Sequence, residues 1–177
     1  MKTVKSLLMP DRMFPTVGDL SPSYLRENGI DVLILDIDNT LVTYGDAEPT
    51  AHVTQWVERM KSEGFSLAVA SNNKPERVAR FCEPLGLFFV AKSRKPSRRC
   101  VTVCCAHFAT APSRCAVVGD QIFTDVLCAK HSGAHAILVT PLPYPENLFF
   151  KFKRLLEKPI IRRYRKLHSR DRKGVSS

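Results

Sequence analysis

Apolar residues in this chain concentrate in five short runs, at 32–36, 66–71, 87–91, 115–119 and 135–139. Each run is nearly continuous, and most are rich in β-branched side chains. Alternation would mark a strand with one wet face, whereas unbroken runs of this length predict strands buried on both faces. Between them, apolar positions return at helical spacing over 50–62, 75–85, 97–108 and 123–131. Two of these segments carry start signals. Pro75 suits a first helical position, where a missing N–H costs nothing, and Pro49-Thr50 offers a cap. Strand and helix alternate throughout, which predicts an α/β fold with a five-stranded parallel sheet covered on both sides, a three-layer sandwich. Ligands of such sheets gather at the carboxyl ends of the strands, so the residues closing each run are the first candidates for chemistry.

The first run leads into Asp36-Ile37-Asp38-Asn39-Thr40, two carboxylates two positions apart. Buried like charges this close are costly unless a cation or proton separates them. Taken alone, the D-x-D also reads as an Asx-rich turn. The second run closes on Ser71-Asn72-Asn73, ahead of a helix whose first N–H groups can hold an anion. By itself that reads as a plain cap and turn. After the third run come Lys92-Ser93-Arg94-Lys95-Pro96, then Arg98 and Arg99, with no acid between Glu83 and Asp120. A charge run is usually a solvated face, but Pro96 fixes Lys95 at the mouth of the next helix. The fourth run ends in Gly119-Asp120-Gln121-Ile122-Phe123-Thr124-Asp125. Four polar loops in succession, each closing its own strand, are hard to explain as turns. Carboxylates suit a hard cation such as magnesium; a lysine and a hydroxyl suit a phosphate.

The order D-I-D-N-T, S-N-N, K-P and G-D-x-x-x-T-D resembles the four-part signature of the haloacid-dehalogenase superfamily, over roughly residues 31–140. L-D-I-D-N-T-L-V, A-S-N-N, E-P-L-G and V-G-D-Q-x-x-T-D-V are similar to the YqeG-like phosphatases of subclass IIIA. These in turn are similar to mitochondrial phosphatidylglycerophosphate phosphatases. The resemblance implies a Rossmann-like phosphatase fold with Asp36 as nucleophile, forming an aspartyl-phosphate, and Asp38 as general acid and base. It implies magnesium on Asp36, Asp120, Asp125 and the Asp38 backbone carbonyl. It further implies phosphate contacts from Ser71 and Lys95, with Thr40 and Asn72 as supporting donors.

Composition narrows the setting. The chain has 177 residues, 44% hydrophobic and 25% charged, enough for one domain with a real core and too apolar for global disorder. No apolar run is long enough to cross a bilayer. Lys2 and Lys5 precede only Leu7-Leu8-Met9 before Pro10, too little for a secretory signal, so the expectation is a cytoplasmic protein. Cys82, Cys100, Cys104, Cys105, Cys115 and Cys128 show no C-x-x-C pair; several lie in apolar-periodic segments, as core cysteines do.

Charge changes the picture most. From Phe149 onward eleven lysines and arginines face only Glu157 and Asp171, so this segment supplies +9 of the net +10. The expected organisation is a catalytic domain over 1–147 and a basic extension over 148–177. In the extension Leu148, Phe149, Phe152, Leu155 and Leu156 recur at helical spacing among the cations, and Ile160, Ile161, Tyr164 and Leu167 resume beyond Pro159. That pattern fits a helix on an anionic membrane, on the inner membrane face for a cytoplasmic protein, and fits equally a helix packing its apolar stripe on the domain. Spacing leaves no room for a cap domain, since only a loop and a helix separate the first two runs. An open site admits a phosphate attached to something large. Three functions stay open: a lipid phosphatase at a membrane surface; a phosphatase of nucleotides or nucleic-acid ends, which a basic tail also suits; and a non-catalytic regulatory or binding module. A tail of interleaved apolar residues favours the first.

Overall fold

A computed structural model describes residues 7–145 and 148–171. Lys2, Lys5, Arg172 and Lys173, the boundary at residue 147 and the side chain of Phe149 lie outside the described residues. The strands are β1 (Arg12–Phe14), β2 (Val32–Leu35), β3 (Ser66–Ala70), β4 (Phe88–Val90), β5 (Cys115–Gly119) and β6 (His135–Val139). The α-helices are α1 (Pro22–Glu27), α2 (Ala51–Ser62), α3 (Pro75–Cys82), α4 (Arg99–His107), α5 (Leu127–Ser132) and α6 (Leu148–Asp171). The strands form one sheet in the order β1-β6-β5-β2-β3-β4, with every pair parallel.

The predicted α/β class and parallel sheet hold, but the sheet has six strands rather than five. The addition, β1, pairs Arg12, Met13 and Phe14 with Ile137, Leu138 and Val139 of β6 at the sheet edge. Three partly exposed residues carry too little apolar periodicity to be read as a strand. Period-two alternation splits β2 between two cores. Leu33 and Leu35 join Val53, Trp56, Val57, Met60, Val78 and Phe81 of α2 and α3 on one face. Val32 and Ile34 meet Val101, Cys104, Cys128 and Ala129 of α4 and α5 on the other, with Ile160 and Ile161 of α6 packed against them. All six cysteines are buried and reduced, as the sequence pattern anticipated.

Helix starts follow local chemistry. Thr50 caps α2, its hydroxyl accepting from the Val53 N–H at 3.3 Å, and Pro75 opens α3. The helix predicted from residue 123 opens as a π-helical segment, Ile122–Val126, and becomes α-helical from Leu127. Helix α6 continues through Pro159. Among the described residues no helix is long and apolar enough to cross a membrane.

Candidate active site

Chain direction sets the location. From β2 the sheet grows outward through β3 and β4, then the chain returns to lay β5 on the other side of β2. The crevice between β2 and β5 is therefore the topological switch point. Asp36 follows β2 and Asp120 follows β5, which brings them to this crevice from 84 positions apart in sequence. Pairing of β2 with β5 continues one step further, where the Asp36 N–H donates to the Val118 carbonyl at 2.9 Å.

Asp36, Asp120 and Asp125 are buried, and each offers a carboxylate oxygen within 4.8 Å of the other two. Gly119 makes this approach feasible, because a Cβ there would overlap the Asp125 carboxyl group. Asp125 is braced by the Gln121 N–H at 3.1 Å and the Thr124 hydroxyl at 3.2 Å. Lys95, buried beside them, lies 2.9 Å from Asp36 Oδ1 and 2.7 Å from Asp125 Oδ1. Both are ion pairs by distance, and neither has hydrogen-bond alignment, since Lys95 Nζ and Asp125 Oδ1 are both without a hydrogen-bond partner. The donor set is three hard oxygen ligands around one lysine, which fits a divalent cation of the magnesium or calcium class.

The other sequence-predicted residues surround this cluster. Asp38 lines the cavity, with Oδ1 accepting from Arg77 at 2.6 Å and Oδ2 accepting from Asn73 Nδ2. Ser71 is buried at the end of β3 and its hydroxyl accepts from the Asn73 N–H at 3.2 Å. Asn72 clamps the Lys95 loop: its Oδ1 accepts from the Ser93 hydroxyl at 2.8 Å and the Lys95 N–H at 2.9 Å. Its Nδ2 donates to the Lys95 carbonyl at 3.2 Å. Thr40 is buried, and its hydroxyl donates to Asp120 Oδ1 at 3.4 Å.

Burial dominates the electrostatics. It drives the Asp36 carboxyl up to about 8, against the pull of Lys95 and with added repulsion from Asp125 and Asp120. Asp120 rises to about 6 for the same reason, restrained chiefly by Arg154. For Lys95 burial works against the charge, but Asp125 and Asp36 outweigh it and hold the ammonium above its ordinary value. Without a cation this cluster carries more negative character than it can comfortably keep ionised.

Several contributors escaped the sequence reading. Arg77 orients Asp38 together with Asn73, whose place in the second polar loop the sequence did mark. Helix α6 supplies the rest. Arg154 reaches Asp120, NH2 to the carboxylate Oδ2 and NH1 to the backbone carbonyl. Glu157, 1% exposed, accepts from the N–H groups of Ile122 at 2.7 Å and Phe123 at 3.4 Å. Lys153 donates to Gln121 Oε1 at 2.7 Å, and both line the cavity. The cavity holds about 400 Å³, with Tyr44, Tyr144 and Pro145 also in its lining. Among the described residues no cap covers it: a loop and α2 join β2 to β3, and α3 with one 3₁₀ turn joins β3 to β4.

Carboxylates converging at the switch point of a parallel sheet give a Rossmann-like architecture with a candidate cation site. The haloacid dehalogenase-like hydrolase family matches residues 25–133. A curated relative, "Probable phosphatase YqeG" of Bacillus subtilis (strain 168), is 34% identical over 158 residues, covering 89% of this chain and 92% of that protein. The chain belongs to the haloacid dehalogenase-like hydrolases. Solved structures share the fold at low identity. An uncharacterized protein from Listeria monocytogenes serotype 4b has a TM-score of 0.54 at 19% identity, covering 67% of this chain and 86% of its own. A hypothetical protein from Xanthomonas campestris has a TM-score of 0.54 at 17% identity, covering 73% and 76%.

Proposed function

We propose that this hydrolase is a magnesium-dependent phosphomonoesterase acting at a membrane surface, with phosphatidylglycerophosphate the substrate its family resemblance implies. The observation that carries the lipid reading is the outer face of α6. Leu148, Phe152, Leu155 and Leu156 are exposed on the helix whose Lys153 lines the cavity. Lysines and arginines continue that face, with Lys151, Lys158, Arg162, Arg163 and Arg165 all exposed. Apolar side chains beside an active-site mouth, flanked by cations, suit an anionic interface. In this reading residues 1–147 are catalytic, and 148–177 hold the enzyme peripherally on the inner membrane face. Lys153 is then placed to meet a second anionic group on the leaving alcohol, as a phosphodiester would present.

The chemistry follows from the cluster. A carboxylate oxygen of Asp36 attacks phosphorus, and the bond to the lipid alkoxide breaks as Asp38 gives that oxygen a proton. Asp38 then takes a proton from the water that cleaves the aspartyl-phosphate, restoring Asp36 and releasing inorganic phosphate. Arg77 and Asn73 steer Asp38 for both transfers. Ser71 and Lys95 bind phosphoryl oxygens, and Lys95 offsets charge on Asp36 and Asp125. When bound by Asp36, Asp120, Asp125 and the Asp38 carbonyl, magnesium supplies positive charge opposite the developing phosphoryl charge.

The test is phosphate release from phosphatidylglycerophosphate in anionic mixed micelles, set beside nucleotides, 5′-phosphorylated oligonucleotides and sugar phosphates. Lipid should lead in kcat/KM, and Asp36→Asn should abolish turnover on every substrate while the circular-dichroism melt is retained. Preference for oligonucleotide ends would replace the lipid reading. Near-normal turnover by Asp36→Asn would refute the mechanism.

A further inference from the structure

We propose that Arg154 and Glu157 are positioning residues for the metal centre, so that α6 completes the active site. The inference rests on the reading that Asp36, Asp120 and Asp125 hold a divalent cation. Asp120 lies at the exit of β5, where strand hydrogen bonding has ended and the π-helical segment begins. Two groups from α6 secure that exit. The Arg154 fork spans the carboxylate Oδ2 and the carbonyl of Asp120, fixing side chain and backbone together. Glu157 takes the first two N–H groups of the π-helical segment, which start the turn leading to Asp125. Arg154 NH1 also meets Glu157 Oε2 at 3.3 Å, so the pair brings no net charge to the centre. Both side chains are well shielded, Arg154 17% and Glu157 1% exposed, so their geometry is held by packing. With Oδ2 engaged, the Asp120 Oδ1 is left toward the Thr40 hydroxyl and the crevice. Partners of this kind fix a ligand's orientation, and their loss typically costs about 10–100-fold in metal affinity or activity.

The decisive variant is the double substitution Arg154→Met with Glu157→Leu, which removes both contacts and leaves net charge unchanged. Magnesium binding to the full-length protein is read by titration calorimetry without substrate, so the outcome is independent of turnover. Tyr164→Phe is the control. It removes the contact from the Tyr164 hydroxyl to the Met13 N–H (3.2 Å), loosening α6 without touching the Asp120 loop. The double variant should raise the magnesium Kd by about tenfold or more. Its kcat at saturating magnesium should recover, and Tyr164→Phe should bind magnesium like wild type. An unchanged or tighter Kd in the double variant overturns the proposal, the tighter value identifying Arg154 as a competitor for the cation's place. Equal weakening by Tyr164→Phe overturns it too, since general docking of α6 would then suffice. Should the double variant not fold, Arg154→Lys decides. It keeps the charge but cannot reproduce the fork, so it should weaken magnesium binding, and wild-type affinity sinks the idea. Wild-type protein that ignores magnesium refutes the underlying metal reading instead.

Discussion

At the scale of single residues, the notable feature is how much protonation the buried carboxylates retain when no cation is bound. Asp36 is raised to about 8 and Asp120 to about 6, in both cases first by burial. In the unfolded chain these groups ionise near the ordinary aspartate value, so between about pH 4 and pH 8 the folded state binds more protons. Stability in chelator should therefore fall as pH rises through this window, by at most about 1.4 kcal/mol per pH unit for each of the two carboxylates, with both acting below about pH 6 and Asp36 alone above it. Lys95 stays charged throughout and does not reverse the sign. Magnesium binds the ionised form, so its stabilising increment should grow over the same range. Thermal melts from pH 5 to 8, with chelator and with magnesium, check both slopes. A chelator Tm that climbs toward pH 8 would contradict the burial argument. These carboxylates were legible in the sequence because each sits within a few positions of a strand end, where a local motif and a structural landmark coincide. Arg77 was not, because nothing local marks an arginine in the first turn of α3 as the partner of Asp38.

At the scale of elements, the junction of β5 with the π-helical segment bears the most constraint. The Gly119 backbone lies against the Asp125 carboxyl group, and any Cβ there displaces a metal-ligand candidate from beneath Lys95. Gly119→Ala should cost stability in the range of about 1–3 kcal/mol, typical of overpacking a well-filled site. It should also weaken magnesium binding far more than its stability loss accounts for. Urea unfolding combined with metal titration separates the two effects; wild-type metal affinity in this variant would show that Asp125 lies free of the site. The same junction marks where the sequence reading reached its limit. Residues 123–131 were recognisable as helical by apolar spacing, but a π-helical opening leaves that spacing nearly unchanged. The edge strand β1 is legible only through its pairing with β6, whose residues lie more than a hundred positions away. Arg154 and Glu157 act across 34 and 35 positions, on an element whose own periodicity describes a separate amphipathic helix.

At the scale of the whole molecule, α6 serves two surfaces. Its inner face gives Arg154, Glu157, Ile160, Ile161 and Tyr164 to the domain. Its outer face leaves Leu148, Phe152, Leu155 and Leu156 exposed and a run of arginines further along. Of the alternatives that the sequence left open, the packed helix describes the inner face, and the surface-seeking reading concerns the outer face alone. If the outer face docks on lipid, attraction should depend on salt, since the Debye length shrinks from about 10 Å at 0.1 M to about 3 Å at 1 M. Each basic residue near an anionic leaflet contributes about 1 kcal/mol, so Arg162, Arg163 and Arg165 changed together to glutamine should weaken vesicle binding by on the order of 100-fold. Leu148, Phe152 and Leu155 changed to serine keep the charge and remove apolar insertion. Because these side chains are already exposed, the fold and the hydrolysis of a soluble aryl phosphate should survive both sets. Co-sedimentation with phosphatidylglycerol vesicles over a salt series reads the binding, and phosphate release from lipid in the same vesicles reads the consequence. Loss of both, with aryl phosphate turnover intact, ties the outer face to substrate access. Binding indifferent to salt and to anionic lipid would remove the membrane from this account, and tight salt-sensitive binding to oligonucleotides would assign the basic face to nucleic acid.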